Sequence, residues 1–142
     1  MDKEYFKKYL EERYKDQTEW YDKKATFNQK VFKWLQWLII ISSALTPILI
    51  LANIDFLKWF AVAAATIIAV SASAQKAFKY QENWINYRAT CETLKKELYY
   101  YNCNLQGYNN AKDKEALFID RVESLISREN TYWVTTVREK YE

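Results

Sequence analysis

The sequence contains no histidine, and it has only one glycine and one proline among its 142 residues. The lack of histidine excludes imidazole acid–base catalysis, histidine-ligated zinc and a histidine-based pH switch. One glycine is too few for the glycine-rich loops that hold phosphates or dinucleotides. Because turn-forming residues are so scarce, we expect a few long helices rather than a sheet.

Cysteine and net charge are also sparse. Cys91 and Cys103 lie outside CxxC spacing, indicate no metal site, and are expected to be buried free thiols. A net charge of +3, with acids interleaved among the bases, is too small to indicate nucleic-acid binding. No nucleophile–base pair or phosphate loop is visible either. The sequence therefore predicts a protein that is not an enzyme and has no cofactor or metal site.

Charge almost disappears from the middle of the chain. Residues 34–75 hold two charged side chains, Asp55 and Lys58, whereas the other 100 residues hold 37. A soluble helical bundle carries charge along the outer face of every helix, so this partition argues against one.

Two uncharged segments make up this middle region. Residues 34–54 form a run of 21, which as a helix spans about 31 Å, roughly the thickness of the hydrocarbon core of a bilayer. Residues 59–75 form a run of 17, which is short but sufficient if Lys58 and Lys76 extend to the membrane surface. Residues 55–58 form the turn between them. The pattern predicts a transmembrane hairpin, and a hairpin buried in a soluble protein is the less favoured alternative.

The positions of lysine and arginine predict the orientation of the hairpin. Nine precede Trp34, eleven follow Gln75 and one lies between the two segments. Positively charged flanks remain in the cytoplasm, so both termini are expected there. Aromatic residues cluster at the ends of the segments, as is typical of residues at a membrane interface.

Several polar residues interrupt the apolar segments. Those near one side of each predicted helix are candidate pore-lining residues, although their hydroxyl groups can instead bond back to their own helix; they are Gln36, Ser43, Thr46, Thr66 and Ser73. Pro47 is a candidate kink, either as the hinge of a gate or as a tolerated structural feature.

A ladder of small residues occupies every fourth position of the second segment: Ala61, Ala65, Ala69 and Ser73. Small side chains let two helix backbones approach closely. The first segment of the same chain and a neighbouring subunit are equally favoured as the packing partner.

The segments that flank the hairpin are amphipathic. Residues 1–33 carry a loose apolar stripe, and residues 76–102 carry a coiled-coil-like seam that predicts an unbroken extension of the second membrane helix. Residues 103–110, CNLQGYNN, are expected to form a loop, and residues 111–140 a last amphipathic helix. None of the three helices can bury its apolar face alone, so we expect a three-helix bundle on the cytoplasmic side.

One arginine falls beside the seam of residues 76–102. A buried Arg88 requires a carboxylate, because a buried charge without its partner costs roughly 3–5 kcal/mol. Glu92 follows one helical turn later, and Glu129 interrupts the stripe of the last helix. We predict that Arg88 pairs with Glu92 or Glu129, as a structural polar network rather than as a ligand-sensing site.

Three stretches resemble a bacterial family of two-transmembrane proteins: YLEERYKDQTEWYDKKA, FKYQENWINYRATCETLKKE and FIDRVESLISRENTYW. This is the SLATT superfamily, named for its association with SMODS and SLOG domains, and within it a family of unknown function. The resemblance covers most of the chain. Its most specific marks include Trp20-Tyr21, Trp84, Tyr87-Arg88, Leu94, Glu97, Tyr108, Phe118, Glu129 and Trp133.

The resemblance implies an effector of bacterial conflict systems in the inner membrane, which forms a pore or perturbs the bilayer. A separate protein that produces or senses a nucleotide signal would trigger it. Two helices leave no lumen, so a pore requires a homo-oligomer. The alternative is a membrane-anchored scaffold whose helical bundle recruits a partner protein, for which Tyr99, Tyr100 and Tyr101 are the candidate surface.

Overall fold

The structure, a computed structural model, describes residues 2–52 and 54–138, with the backbone alone described at residues 129, 130 and 132–138. This part of the chain forms four helices and no strand: α1 (Lys3–Leu51), α2 (Asp55–Phe78), α3 (Tyr80–Asn102) and α4 (Lys114–Arg138). The all-helical class predicted from the scarcity of glycine and proline is therefore confirmed.

Helix α1 contains a π-helical turn at Tyr9–Tyr14. A step of eight residues turns a side chain by about 80° around a regular α-helix, but the extra residue of a π-turn removes most of this rotation. Phe6 and Tyr14 are both buried as a result, at 7% exposure each, on the same face as Tyr21. The N-terminus of α1 is capped by Asp2, whose carboxylate accepts a hydrogen bond from the Glu4 backbone N–H at 3.0 Å.

The chain divides into two compact units. The bundle contains the described residues up to Lys23 and from Asn86 onward, and the hairpin is Lys24–Ile85. The core of the bundle joins residues from α1, α3 and α4 around Phe118, whose ring lies 5.7, 5.5 and 5.3 Å from the rings of Phe6, Tyr14 and Tyr101. These aromatic contacts stabilise the bundle in addition to the burial of apolar area.

The link between α1 and α2 is shorter than expected. Residues 55–58, predicted as the turn, form the first turn of α2, which begins four positions after α1 ends at Leu51. Asp55 lies in the first helical turn, where a carboxylate interacts favourably with the helix dipole. Its Oδ1 atom also lies 2.6 Å from the Lys58 Nζ atom. Both interactions favour a helix that begins at Asp55.

Lys79 separates α2 from α3, in contrast to the predicted unbroken helix. Its backbone is left-handed, with φ 50° and ψ 38°, a conformation that costs a non-glycine residue roughly 1–2 kcal/mol. The side chain of Asn83 donates a hydrogen bond to the Phe78 carbonyl at 3.0 Å. This bond satisfies a backbone group at the break and offsets part of the cost.

The loop after α3 is longer than the predicted 103–110, because α4 begins at Lys114 rather than at residue 111. Asp113 caps α4 by accepting a hydrogen bond from the Ala116 backbone N–H at 3.0 Å. Within the loop, Tyr108–Asn110 form a 3₁₀ turn that follows Gly107, whose φ of 90° favours glycine.

We predict that Leu94→Ala destabilises the bundle by roughly 2–5 kcal/mol, because Leu94 is completely buried and its truncation leaves a cavity. Leu105→Ala is the matched control, since Leu105 is 53% exposed, and it should change stability by less than about 0.5 kcal/mol. Thermal unfolding of the full chain in detergent, followed by circular dichroism, measures both. Equal shifts for the two variants would contradict the assignment of Leu94 to the core.

Candidate functional site

The helices of the hairpin pack through small side chains. Ser42 of α1 and Ala61, Ala64 and Ser71 of α2 are buried, each at 8% exposure or less. Small residues at a helix–helix interface let the backbones approach closely, which strengthens van der Waals contact. The inner face of the hairpin therefore depends on close packing rather than on large apolar side chains.

A hydrogen-bonded glutamine pair joins the two helices near one end of the hairpin. The Nε2 atom of Gln75 donates to Gln36 Oε1 at 3.3 Å and lies 3.5 Å from the Phe32 carbonyl oxygen. Gln36, fifteen residues before the end of α1, thus meets the last turn of α2, and because a short link joins the two helices they run antiparallel.

The five candidate pore-lining residues differ in exposure. Gln36 and Thr46 are half-buried, whereas Ser43, Thr66 and Ser73 are exposed. The hydroxyl groups of Thr46 and Thr66 donate to the carbonyls of Ser42 and Val62, one turn earlier, at 2.8 and 2.9 Å. Of the five candidates, Ser43, Thr66 and Ser73 are therefore the exposed ones, and the pore-lining role of all five stays a prediction.

The small-residue ladder also divides between two faces. Ala61 is buried, but Ala65, Ala69 and Ser73 are exposed. Each step of four residues rotates the side chain by about 40° around the helix, so Ser73 lies about 120° from Ala61. Most of the ladder therefore faces away from the buried side of α2.

Helix α1 continues through Pro47 and ends four residues later, at Leu51. Proline has no N–H to donate to the carbonyl four residues earlier. The backbone carbonyl of Ser43 therefore lacks the N–H donor that a regular helix would supply. The side chain of Ser43 is exposed.

The outer surface of the hairpin is strongly apolar. Two helices of the described chain, α1 and α2, are long and apolar enough to cross a membrane. In the most apolar 18-residue stretch of each, only 6% of α1 and 17% of α2 is buried. Exposed side chains along this surface include Ile48 at 63%, Val62 at 58% and Val70 at 63%. Soluble monomers rarely expose a continuous apolar surface of this extent.

In the bundle, Arg88 lies closest to a carboxylate that the sequence did not single out. Its Nη1 atom is 2.6 Å from Asp22 Oδ1 on α1 and 3.8 Å from Glu92 Oε1 on its own helix. The side chain of Glu129, the other predicted partner, lies outside the described residues. Arg88 and Asp22 thus join α3 to α1.

A second network surrounds Glu97, which is 9% exposed. Its Oε1 atom accepts hydrogen bonds from the Tyr108 hydroxyl at 2.6 Å and from Arg121 Nη1 at 3.1 Å. Arg121 Nη2 also donates to the Gln106 carbonyl at 2.8 Å. Burial and the bond to Glu97 raise the pKa of Tyr108, and Glu97 also raises the pKa of Arg121. The network fixes the loop that precedes α4 against α3.

A third network joins the π-helical turn to α4. Arg13 donates to both carboxylate oxygens of Glu123, at 3.2 Å each, and the Tyr9 hydroxyl donates to Oε1 at 2.9 Å. The bonds from Arg13 lower the pKa of Glu123, whereas burial and Glu123 raise the pKa of Tyr9. Sequence periodicity gave no signal for this network, because its members meet only across the bundle.

The two cysteines differ in burial, contrary to the expectation that both are buried. Cys91 is completely buried, with its Sγ atom 3.6 Å from the Thr18 carbonyl oxygen, and burial raises its pKa. Cys103 is exposed because it lies in the loop after α3. Within the described part of the chain, no three cysteine or acidic side chains lie close enough together to hold a metal ion.

We predict that Glu123→Gln lowers the melting temperature by roughly 1–5 °C near pH 7, as expected for a half-exposed bidentate pair. The lowered pKa of Glu123 means that its stabilisation is complete above its ordinary value of 4.5 and is lost as the pH falls through the folded-state pKa. The raised pKa of Tyr9 means that its stabilisation is complete below pH 10.0 and is lost in more alkaline solution. The difference between the variant and the wild type should therefore be constant between about pH 6 and 9 and shrink below 4.5.

The matched control for this titration is Glu11→Gln, which removes a carboxylate that pairs only loosely with Lys7, at 4.0 Å on the surface of the same helix. It should leave the melting temperature within about 1 °C of the wild type throughout. A difference between Glu123→Gln and the wild type that persists unchanged to pH 3 would contradict the role of the Glu123 charge.

Comparison with known proteins gives a family but no characterised relative. No curated protein and no solved structure matches the chain. One family model, described as "Protein of unknown function (DUF4231)", matches residues 16–116. The match covers the last eight residues of the bundle segment of α1, the whole hairpin, α3 and the loop with Tyr108. Because this is more than half of the sequence, the chain belongs to the DUF4231 family.

Proposed function

We propose that this chain is a homo-oligomeric membrane protein whose hairpin crosses the bacterial inner membrane twice, with both termini in the cytoplasm. The observation that carries the proposal is the exposed apolar surface of α1 and α2. In the most apolar 18-residue stretch of each helix, only 6% of α1 and 17% of α2 is buried. An apolar helix in water needs a cover for this surface, whereas in a bilayer the lipid tails supply it and the helical backbone satisfies its own hydrogen bonds.

The distribution of charge supports the orientation. Residues 34–75 contain a single basic residue, Lys58, whose ammonium group is paired with Asp55. The remaining twenty lysine and arginine residues lie before Trp34 or after Gln75. A hairpin inserted from the cytoplasm carries only this neutral pair across the bilayer, in agreement with the positive-inside rule.

We further propose that the assembled protein forms a pore or perturbs the membrane, as the resemblance to the SLATT superfamily implies. A separate protein that produces or senses a nucleotide signal would supply the trigger. One hairpin encloses no water-filled path, so the activity requires several copies around a common axis. Thr66 and Ser73, seven residues apart on the same side of α2 and both exposed, are the polar side chains best suited to face that axis.

The first test of this proposal is membrane extraction followed by mass measurement. The chain should remain in the membrane fraction after alkaline carbonate treatment, because two spanning helices do not dissociate at high pH. In nanodiscs it should have the mass of a closed ring of subunits. A soluble, monodisperse protein in the absence of detergent would contradict the membrane assignment.

The second test addresses the pore. Reconstituted wild-type protein should release a small dye from liposomes, and Thr66→Val with Ser73→Val should reduce the rate at least about tenfold, because a water path lined by apolar residues dewets. The control is Phe60→Leu with Ile67→Leu, which changes two exposed apolar side chains about 120° and 100° around the same helix from Thr66 and should leave release unchanged. Equal release by both double variants would contradict the assignment of Thr66 and Ser73 to the pore.

A membrane-anchored scaffold is the second candidate function, favoured by an open groove of about 700 Å³ between α3 and α4. The residues that line it include Asn86, Thr90, Thr93, Leu125 and Arg128. Tyr99 is also 69% exposed, whereas Tyr101 packs in the core and is unsuited to partner binding. A monomer or dimer in nanodiscs, with no dye release under any condition, would favour this function over the pore.

A further inference from the structure

The hydrogen bonds of Gln75 bring lysines from two helices to the same end of the hairpin. Gln75 lies 3.5 Å from the Phe32 carbonyl oxygen and 3.3 Å from the Gln36 side chain. Lys33 directly follows Phe32, and Lys76 directly follows Gln75. Lys30 precedes Lys33 by three residues, a rise of about 4.5 Å along α1. All three lysines are exposed. We refer to Lys30, Lys33 and Lys76 as the lysine collar.

The collar carries positive charge that the hairpin does not neutralise. Lys24–Ile85 contains six lysines and two carboxylates, a net charge of +4, while the whole chain carries +3. Both carboxylates are engaged elsewhere: Asp55 lies 2.6 Å from Lys58, and Glu82 lies 3.1 Å from Lys79. Among the described side chains, no ion pair within 4.0 Å includes a lysine of the collar.

Large aromatic side chains accompany the collar. Trp34 and Trp37, one and four residues after Lys33, are 63% and 62% exposed, and Phe78, two residues after Lys76, is 61% exposed. Exposed tryptophan at the end of an apolar helix favours the headgroup level of a bilayer. At that depth the flexible four-carbon stem of lysine lies along the acyl boundary, and its ammonium group reaches the lipid phosphates.

We propose that the lysine collar binds the headgroups of anionic phospholipids, so that the protein selects acidic lipids from a mixed bilayer; this inference rests on the proposed membrane function. Zwitterionic lipids offer the same phosphate but carry no net charge. A lysine near the surface of an anionic membrane favours binding by roughly fivefold. Three lysines from two helices distribute this preference around the end of the hairpin and create a shell of acidic lipids there.

Electron paramagnetic resonance of spin-labelled lipids tests the proposal on the full-length chain reconstituted in phosphatidylcholine vesicles. The fraction of motionally restricted label gives the relative association constant of phosphatidylglycerol over phosphatidylcholine. For the wild type we expect a ratio of roughly two- to fivefold at low salt, which falls towards one in 1 M NaCl because the Debye length shrinks to about 3 Å.

The decisive variant is Lys30→Gln with Lys33→Gln and Lys76→Gln, which should bring the ratio close to one. The matched control is Lys7→Gln with Lys8→Gln and Lys96→Gln, three exposed lysines of the bundle whose loss changes the net charge equally. The control should retain the wild-type ratio. Circular dichroism verifies that both variants retain their helices.

The possible results distinguish a failure of the collar proposal from a failure of the proposed membrane function. Equal restriction of both lipids by the wild type would overturn the collar proposal and leave the membrane function intact. An equal loss of selectivity in both triple variants would also overturn it, because the effect would then arise from net charge alone. Absence of any restricted label with either lipid would overturn the proposed membrane function together with the collar.

Discussion

Each apolar side chain on the outer surface of α1 and α2 needs an apolar neighbour that one copy of the chain does not supply. Leu51 is 82% exposed and Val70 63% exposed, and full burial of one such side chain contributes roughly 1.5–3 kcal/mol. Other large apolar side chains are exposed in the same way along both helices of the hairpin. The stability of the hairpin therefore depends on what surrounds it, and a lipid bilayer or an assembly of copies within one satisfies the requirement.

The two units place polar groups according to opposite rules. In the bundle, large apolar and aromatic residues are internal, and the Tyr14 hydroxyl, although buried, donates to the Leu94 carbonyl at 2.9 Å. In the hairpin, the internal face contains Ser42 and Ser71, while large apolar residues are external. Lipid tails are as apolar as leucine, so helices in a bilayer associate through small residues and hydrogen bonds instead. Small polar side chains inside and large apolar side chains outside are the arrangement expected of helices in a bilayer, whereas the arrangement in the bundle is the one expected in water.

Sequence reasoning predicted the features that depend on local pattern. Helices follow from the absence of breakers, and the apolar segments follow from the absence of charge between Lys33 and Asp55. It was less successful for features that depend on contacts between residues distant in the sequence, or on a helix end without its usual residue signal. The partnership of Arg88 with Asp22 joins residues 66 positions apart, and no periodicity indicates it. The break at Lys79 has no glycine or asparagine at the left-handed position, so the usual signal for a helix end is absent.

One row of buried residues on α1 contributes to the packing of the bundle and to the packing of the hairpin. Tyr14, Tyr21, Asn28 and Ser42 recur at multiples of seven residues, and all four are buried. A heptad repeat drifts only about 20° per seven residues around a straight helix, so each member lies close to the next, although the face turns by about 80° between Tyr14 and Ser42. Along that face the side chains become smaller, from tyrosine in the bundle to serine in the hairpin.

The distance between two packed helices depends on the side chains at their contact. A stripe that ends in serine therefore allows closer packing in the hairpin than tyrosine allows in the bundle. Replacement of Ser42 by a larger apolar residue would therefore separate the helices of the hairpin, whereas the same change on the outer surface at Ser43 would not. The volume of the side chain, more than its hydrophobicity, determines what α1 tolerates at the interface of the hairpin.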